Sequence, residues 1–205
     1  MGIYSIKPKF QKVLAPVKNL FIRFKVHPTT INILALIISI IGGILLYYSN
    51  RNVWFLILIP IIAFVRTALN ALDGLVARKL KVKNQKFGEV LNEFIDRLSD
   101  VAIFIGLALT SYANFYLGSF AIIVILLNSY LSILSKAAGG ARQYGGIMGK
   151  ADRMFWLSVA SILVLITGKF EIMNYLFVFL IVTTIITMME RFNATKKELY
   201  RLCLD

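Results

Sequence analysis

Hydrophobic positions fall in long unbroken runs along this chain. Residues 29–50, 101–135 and 172–189 contain no charged side chain. About 20 apolar residues cross a bilayer core as a helix, so each of these runs is long enough to cross. The run 101–135 is long enough for two crossings if Tyr112-Ala-Asn-Phe115 turns between them. Shorter runs at 53–65 and 154–168 cross only with their flanking residues. The pattern predicts helices near 29–49, 53–78, 88–111, 116–138, 152–168 and 172–191. Continuous runs without period-two alternation argue against a β-barrel.

Segment 4–25 is different. It mixes Phe10, Val13, Leu14, Val17, Leu20, Phe21 and Phe24 with lysines, the pattern of a helix lying in the membrane interface. Pro16 is expected to interrupt or kink it. His27-Pro-Thr-Thr30 reads as a helix start, with Thr29 or Thr30 as the cap. His27, the only histidine, reads as interfacial. The predicted fold class is therefore an all-α integral membrane protein: a six-transmembrane-helix bundle with an N-terminal interfacial amphipathic helix. One domain spans 1–205, with a juxtamembrane segment 1–28, the helices 29–191 and a tail 192–205.

Composition agrees. The 205 residues are 59% hydrophobic and 16% charged, whereas a soluble domain carries about a quarter charged residues. One cysteine, Cys203, excludes an intrachain disulfide. The net charge of +13 is asymmetric. Nineteen Lys and Arg residues fall before the first predicted helix, in the connections near 78–86 and 136–153, and after the last helix. The opposite loops hold only Arg51 and Lys169. The positive-inside rule then places both termini in the cytoplasm, which fits an even helix count. Every basic cluster adjoins an apolar span, so contact with anionic lipid is expected rather than nucleic-acid binding.

Ionisable groups inside membrane spans are costly and by default suggest function. Of ten acidic residues, five lie between positions 73 and 100: Asp73, Glu89, Glu93, Asp96 and Asp100. Asn70 and Asp73, three apart, share one face of the second helix. Glu89, Asn92, Glu93, Asp96 and Asp100 fall within one arc of about 100° on the third, opposite Val90, Leu91, Phe94 and Leu98. Oxygen ligands from two helices suit a hard divalent cation. Alternatively, the acids pair with Arg66, Arg78, Arg97 and loop lysines; for Glu89 and Asp100 both readings stay open.

The stretch Asn70-Ala-Leu-Asp73-Gly74-Leu-Val-Ala77-Arg78, then Gly88-Glu-Val-Leu-Asn92-Glu-Phe-Ile-Asp96, closely resembles the signature of the CDP-alcohol phosphatidyltransferases. That signature is Asp-x2-Asp-Gly-x2-Ala-Arg, a spacer of eight, then Gly-x3-Asp-x3-Asp. Here Asn70 and Asn92 stand at the first and third aspartate positions, and Phe87 lengthens the spacer by one. A bacterial inner-membrane subgroup shares these asparagines.

The resemblance implies transfer of a phosphatidyl group from a CDP-linked donor, CDP-diacylglycerol above all, to an alcohol, with release of CMP. It implies Mg²⁺ or Mn²⁺, as one or two ions. Asp73, Asp96, Asn70 and Asn92 are the implied ligands, with Glu93 or Asp100 as replacements for lost charge. Asp96 is the implied general base. Asp73, Gly74, Ala77, Arg78 and Gly88 are expected at the donor, although close helix packing is another reading of Gly74. Related enzymes are homodimers, which is the expectation here.

A second basic, glycine-rich group runs from Gly139 to Arg153. Arg142 and Arg153 offer planar forks for phosphate and Lys150 a point charge; with Asp152 they are expected at the acceptor. Charge that only sets topology is the alternative. Two other functions remain in view: a silent relative that binds CDP-lipid or metal, supported by the two asparagines, and a small transporter. A transport pathway calls for polar groups near the bilayer midplane, and these acids crowd one end.

Overall fold

The computed structural model describes residues 13–80 and 85–202, and these are helical with short connections. Helix α1 is Ala15–Arg23, α2 Pro28–Tyr48, α3 Ile59–Leu80, α4 Gln85–Ala108, α5 Phe115–Ala137, α6 Lys150–Thr167 and α7 Ile172–Leu202. A 3₁₀ turn, Val53–Leu58, leads into α3. Most bounds lie within three residues of those the apolar runs predict.

Two local expectations are corrected. The α2 cap is His27, whose Nδ1 accepts from the Thr29 amide at 3.3 Å, not a threonine. Pro28 follows in the first turn, where a missing N–H costs nothing. Pro16 interrupts the segment as expected: Val13 is helical, Leu14 is a turn, and a new helix, α1, starts at Ala15 with Pro16 in its first turn. Residues 4–12 of the expected interfacial segment lie outside the described residues. Finally, α7 continues through the supposed tail to Leu202, because 192–202 contains no glycine or proline to stop it.

Each long helix packs mainly on two neighbours, in the cyclic order α2, α3, α6, α7, α5, α4 and back to α2. The tightest seam joins α2 and α4. A Cβ added to Gly43 would stand 2.1 Å from the Ala102 carbonyl oxygen, and one added to Gly106 would stand 2.1 Å from that of Gly43. Only glycine permits this approach, as at helix pairs in lipid. Phe104, Leu107, Leu157, Phe177 and Leu180 fill the centre of the ring.

The two ends of the ring differ in chemistry. One is tied by neutral groups: Ser49 to Tyr112 at 2.5 Å, Ser111 to Asn50 and the Asn114 amide to Asn174. The other is tied by charges. Among the described residues four helices, the α3 span with its 3₁₀ turn and α2, α5 and α7, are long and apolar enough to cross a membrane. Helices α4 and α6 carry the charges of the second end.

Candidate active site

Helix α4 turns its polar stripe inward and its apolar side outward. Glu93, Asp96 and Asp100 are buried, while Val90, Phe94 and Leu98 are exposed. Helix α3 runs antiparallel to α4 and α6 runs parallel to it, so side chains one turn apart on each helix meet in tiers.

The deepest tier is a buried ion cluster. Asp100 Oδ1 accepts from Arg66 at 2.6 Å and Oδ2 from Arg153 at 2.6 Å, all three side chains being about 1% exposed. Arg97 adds a contact at 3.7 Å. This resolves the open reading of Asp100 in favour of pairing. It also corrects the expectation for Arg153, which is sealed in the bundle and bonded to Asp100 rather than presented to an acceptor. Asp152 is corrected too: its Oδ2 accepts from the Gly149 amide at 2.9 Å and caps the start of α6.

One turn outward, Asn70 of α3 donates its Nδ2 to Asp96 Oδ1 at 3.0 Å, and Lys150 of α6 holds Asp96 Oδ2. Lys150, expected at the acceptor, therefore reaches the carboxylate at the centre of the motif. Asn70 uses its amide nitrogen here, not the oxygen a metal would take.

A further turn outward, antiparallel register sets Asp73 and Gly74 level with Asn92. Asp73 is buried, and its Oδ1 accepts from the Gly74 amide at 2.5 Å. The buried Asn92 Oδ1 has no hydrogen-bond partner among the described residues. Among the described residues, a Cβ built on Gly74 or on Gly88 meets nothing within 4 Å, so close packing of the described helices does not explain Gly74. Ala77 is half-buried, and Arg78 is exposed at the rim.

Glu93 is engaged on both oxygens, with Arg97 at 2.9 Å and with Arg142. Neither Glu93 nor Asp100 thus restores the charge that Asn70 and Asn92 remove, and among the described residues no three His, Cys, Asp or Glu side chains gather as a metal cluster. Glu89 pairs with Lys136 at 2.5 Å at the exposed edge. For a hard cation, the Asp73 carboxylate and the Asn92 amide oxygen are the oxygen ligands on this tier, a set that would suit one divalent ion completed by water and phosphate oxygens.

The loop between α5 and α6 brings Arg142 over Glu93 and stacks it on Tyr144 at 4.7 Å. Burial acts to lower the Arg142 pKa; the Glu93 carboxylate, with Tyr144, more than reverses this and leaves it raised. The guanidinium is therefore a fixed positive charge. Helix α7 holds this loop. Thr187 Oγ1 accepts from the Met148 amide at 2.9 Å, Arg191 Nε donates to the Gly145 carbonyl at 2.8 Å, and Glu198 accepts from the Ala141 amide at 2.7 Å. Arg191 also donates to Ser132 of α5 at 2.7 Å. Sequence reading took Arg191 for topology charge and overlooked Thr187 and Glu198. The available signal was spacing: Thr187, Arg191 and Glu198 recur at four and seven residues on one helix face, and Asn128 and Ser132 form a polar stripe inside an apolar span.

The family model for CDP-alcohol phosphatidyltransferase matches residues 25–186. The chain belongs to that family. It is accordingly an enzyme of phospholipid synthesis, transferring a substituted phosphate from a CDP-linked donor to an alcohol with release of CMP. Inner membrane protein YnbA of Escherichia coli K12 is 36% identical over 155 residues, 75% of each chain. Archaetidylinositol phosphate synthase of Pyrococcus horikoshii is 29% identical over 158 residues, covering 77% of this chain and 81% of its own. The fold matches crystal structures of the phosphatidylinositol phosphate synthase PgsA1 of Mycobacterium tuberculosis. With CDP-DAG bound, that enzyme superposes at a TM-score of 0.73 with 20% identity, over 90% of this chain and 94% of its own. A second structure of it, at TM-score 0.73 and 21% identity over 88% and 87% of the two chains, holds manganese and citrate.

Proposed function

We propose that the charged end of the bundle transfers a phosphatidyl group from CDP-diacylglycerol to a polar, negatively charged alcohol at the cytoplasmic face of a bacterial membrane. The observation that carries this reading is the contact of motif residues across α3 and α4, Asn70 to Asp96 at 3.0 Å; the same antiparallel register carried one turn further brings Asp73 and Gly74 toward Asn92.

Asp73 and Asn92 would hold a single Mg²⁺ or Mn²⁺ ion, which would supply positive charge to the pyrophosphate of the donor. Gly74 and Gly88, which offer no side-chain bulk, admit the nucleotide, and Ala77 and Arg78 line its approach. Asp96 takes the proton of the acceptor hydroxyl, whose oxygen forms a bond to the donor's β-phosphorus. The bond from that phosphorus to the CMP oxygen breaks, and CMP leaves with the electron pair. A carboxylate has about four lone-pair sites, so Asp96 can accept this proton while bonded to Asn70 and Lys150. Arg142 recruits the acceptor's anionic group. Relatives named as synthases of inositol phosphate lipids support a phosphorylated acceptor.

Six crossings suit this arrangement, because α4 and α6 turn their charges toward each other and their apolar sides outward. The asymmetry of basic residues along the sequence supports a cytoplasmic location for this end and for both termini. At the start of α1, Leu14 clusters with Leu72, while Leu20 on the helix and Val13 and Phe24 at its two ends stay exposed, as in an interfacial segment. The homodimer rests on resemblance alone.

The test is purified protein in detergent with CDP-diacylglycerol, Mg²⁺ or Mn²⁺ and a panel of free and phosphorylated alcohols, followed by CMP release. Release is expected with at least one phosphorylated acceptor and none after chelation. No release with any alcohol would leave a CDP-lipid binder without turnover.

A further inference from the structure

We propose that the ammonium of Lys150 stands in this enzyme where a two-ion site would hold its second divalent cation, so that the chain works with one metal ion and one built-in positive charge. This rests on the transferase reading above and specifies its cation site.

Two contacts on one carboxylate carry the inference. Asp96 is 2% exposed, and each of its oxygens already faces a donor: Oδ1 the Asn70 amide and Oδ2 the Lys150 ammonium. A carboxylate at position 70 would face Asp96 at the 3.0 Å now spanned by the amide. Two carboxylates that close cannot both stay ionised without a cation or a shared proton between them. Asn70 removes that need by donating, and Lys150 supplies a positive charge to the other oxygen. The two features are chemically coupled: an asparagine that makes a second ion unnecessary, and a lysine that supplies its charge.

The surroundings agree. The only other acids on the inner face of α4 are committed, Glu93 to Arg97 and Arg142, and Asp100 to Arg66 and Arg153. Lys150 also has the right placement. It opens α6 directly after the glycine-rich loop, and its side chain is 34% exposed, so it reaches both the buried carboxylate and an incoming phosphate. A lysine ammonium binds phosphate as a point charge, much as a metal ion does.

The experiment counts Mn²⁺ bound to the purified full chain without substrate, by the electron paramagnetic resonance signal of the free ion. Wild type is expected to bind one ion per chain, and the triple variant Asn70→Asp, Asn92→Asp, Lys150→Met two. Two ions on wild type, or one on the folded triple variant, overturns the proposal. Activity supplies a second readout. Lys150→Met alone is expected to lower kcat by about 100-fold, the scale for losing one transition-state charge contact. The triple variant with excess Mn²⁺ should regain at least about tenfold of that, which a merely structural lysine would not show. If wild type binds two ions and CMP release still requires metal, the transferase reading stands and only the role of Lys150 falls. If no ion binds and CMP release ignores chelation, the metal-dependent reading falls as well.

Discussion

Neutralising Asp100 should unfold this protein more readily than it should change its substrates. The carboxylate is about 1% exposed and bridges Arg66 and Arg153 at 2.6 Å each, with Arg97 at 3.7 Å. In Asp100→Asn the guanidiniums face one another in the bundle interior without their counter-ion. Breaking a buried pair in this way costs about 3–5 kcal/mol, because the remaining charge has lost both water and partner. At roughly 2–4 °C per kcal/mol for a chain of this size, the melting midpoint should fall by about 6–20 °C. Circular dichroism of matched detergent preparations measures it. Arg153→Gln should also melt early, and its surviving folded fraction should keep the wild-type acceptor KM. A midpoint within about 2 °C of wild type for Asp100→Asn would refute the buried cluster. A raised acceptor KM in a fully stable Arg153→Gln would return Arg153 to the acceptor site.

Three further outcomes follow from the same geometry. Leucine at two glycines should give opposite results. Gly74→Leu meets no described neighbour within 4 Å of its Cβ and should leave the melting midpoint unchanged while lowering kcat/KM for the CDP-linked donor at least about tenfold, a volume effect on binding rather than folding. Gly43→Leu drives a side chain into backbone at 2.1 Å and should prevent stable folding, seen as aggregation on extraction. Glu198→Ala frees the Ala141 amide and Gln143 from charged hydrogen bonds of about 1.5–3 kcal/mol each. It should raise the acceptor KM by about tenfold with kcat little changed, whereas an equal loss in kcat would show that the loop does more than place Arg142.

Helix positions were legible in the sequence because uninterrupted apolar runs set them directly. Polar facing was legible too: the acidic arc on α4 is the buried one. Depth was not. Lys150 and Arg153 sit three apart on one face of α6, and the basic, glycine-rich stretch together with the family resemblance made both acceptor groups. The structure puts Lys150 on Asp96 and Arg153 a turn deeper on Asp100, since α6 runs alongside α4 in register. Which helix lies beside which is a tertiary fact that no local pattern carries. The same blindness hid α7, whose Thr187, Arg191 and Glu198 hold the loop from across the ring. Glu93 was offered as a replacement ligand on the strength of its stripe position, and Arg97 and Arg142 hold both its oxygens.

The most direct measurement of the central claim is steady-state CMP release from CDP-diacylglycerol by Asp96→Asn beside wild type, with donor binding followed in parallel by CDP-dependent thermal stabilisation. Loss of a general base should lower kcat by about 10²–10⁴-fold while nucleotide binding persists. A variant that binds donor and still turns over at more than about a tenth of the wild-type rate would contradict the placement of the reaction at the α3–α4–α6 tier.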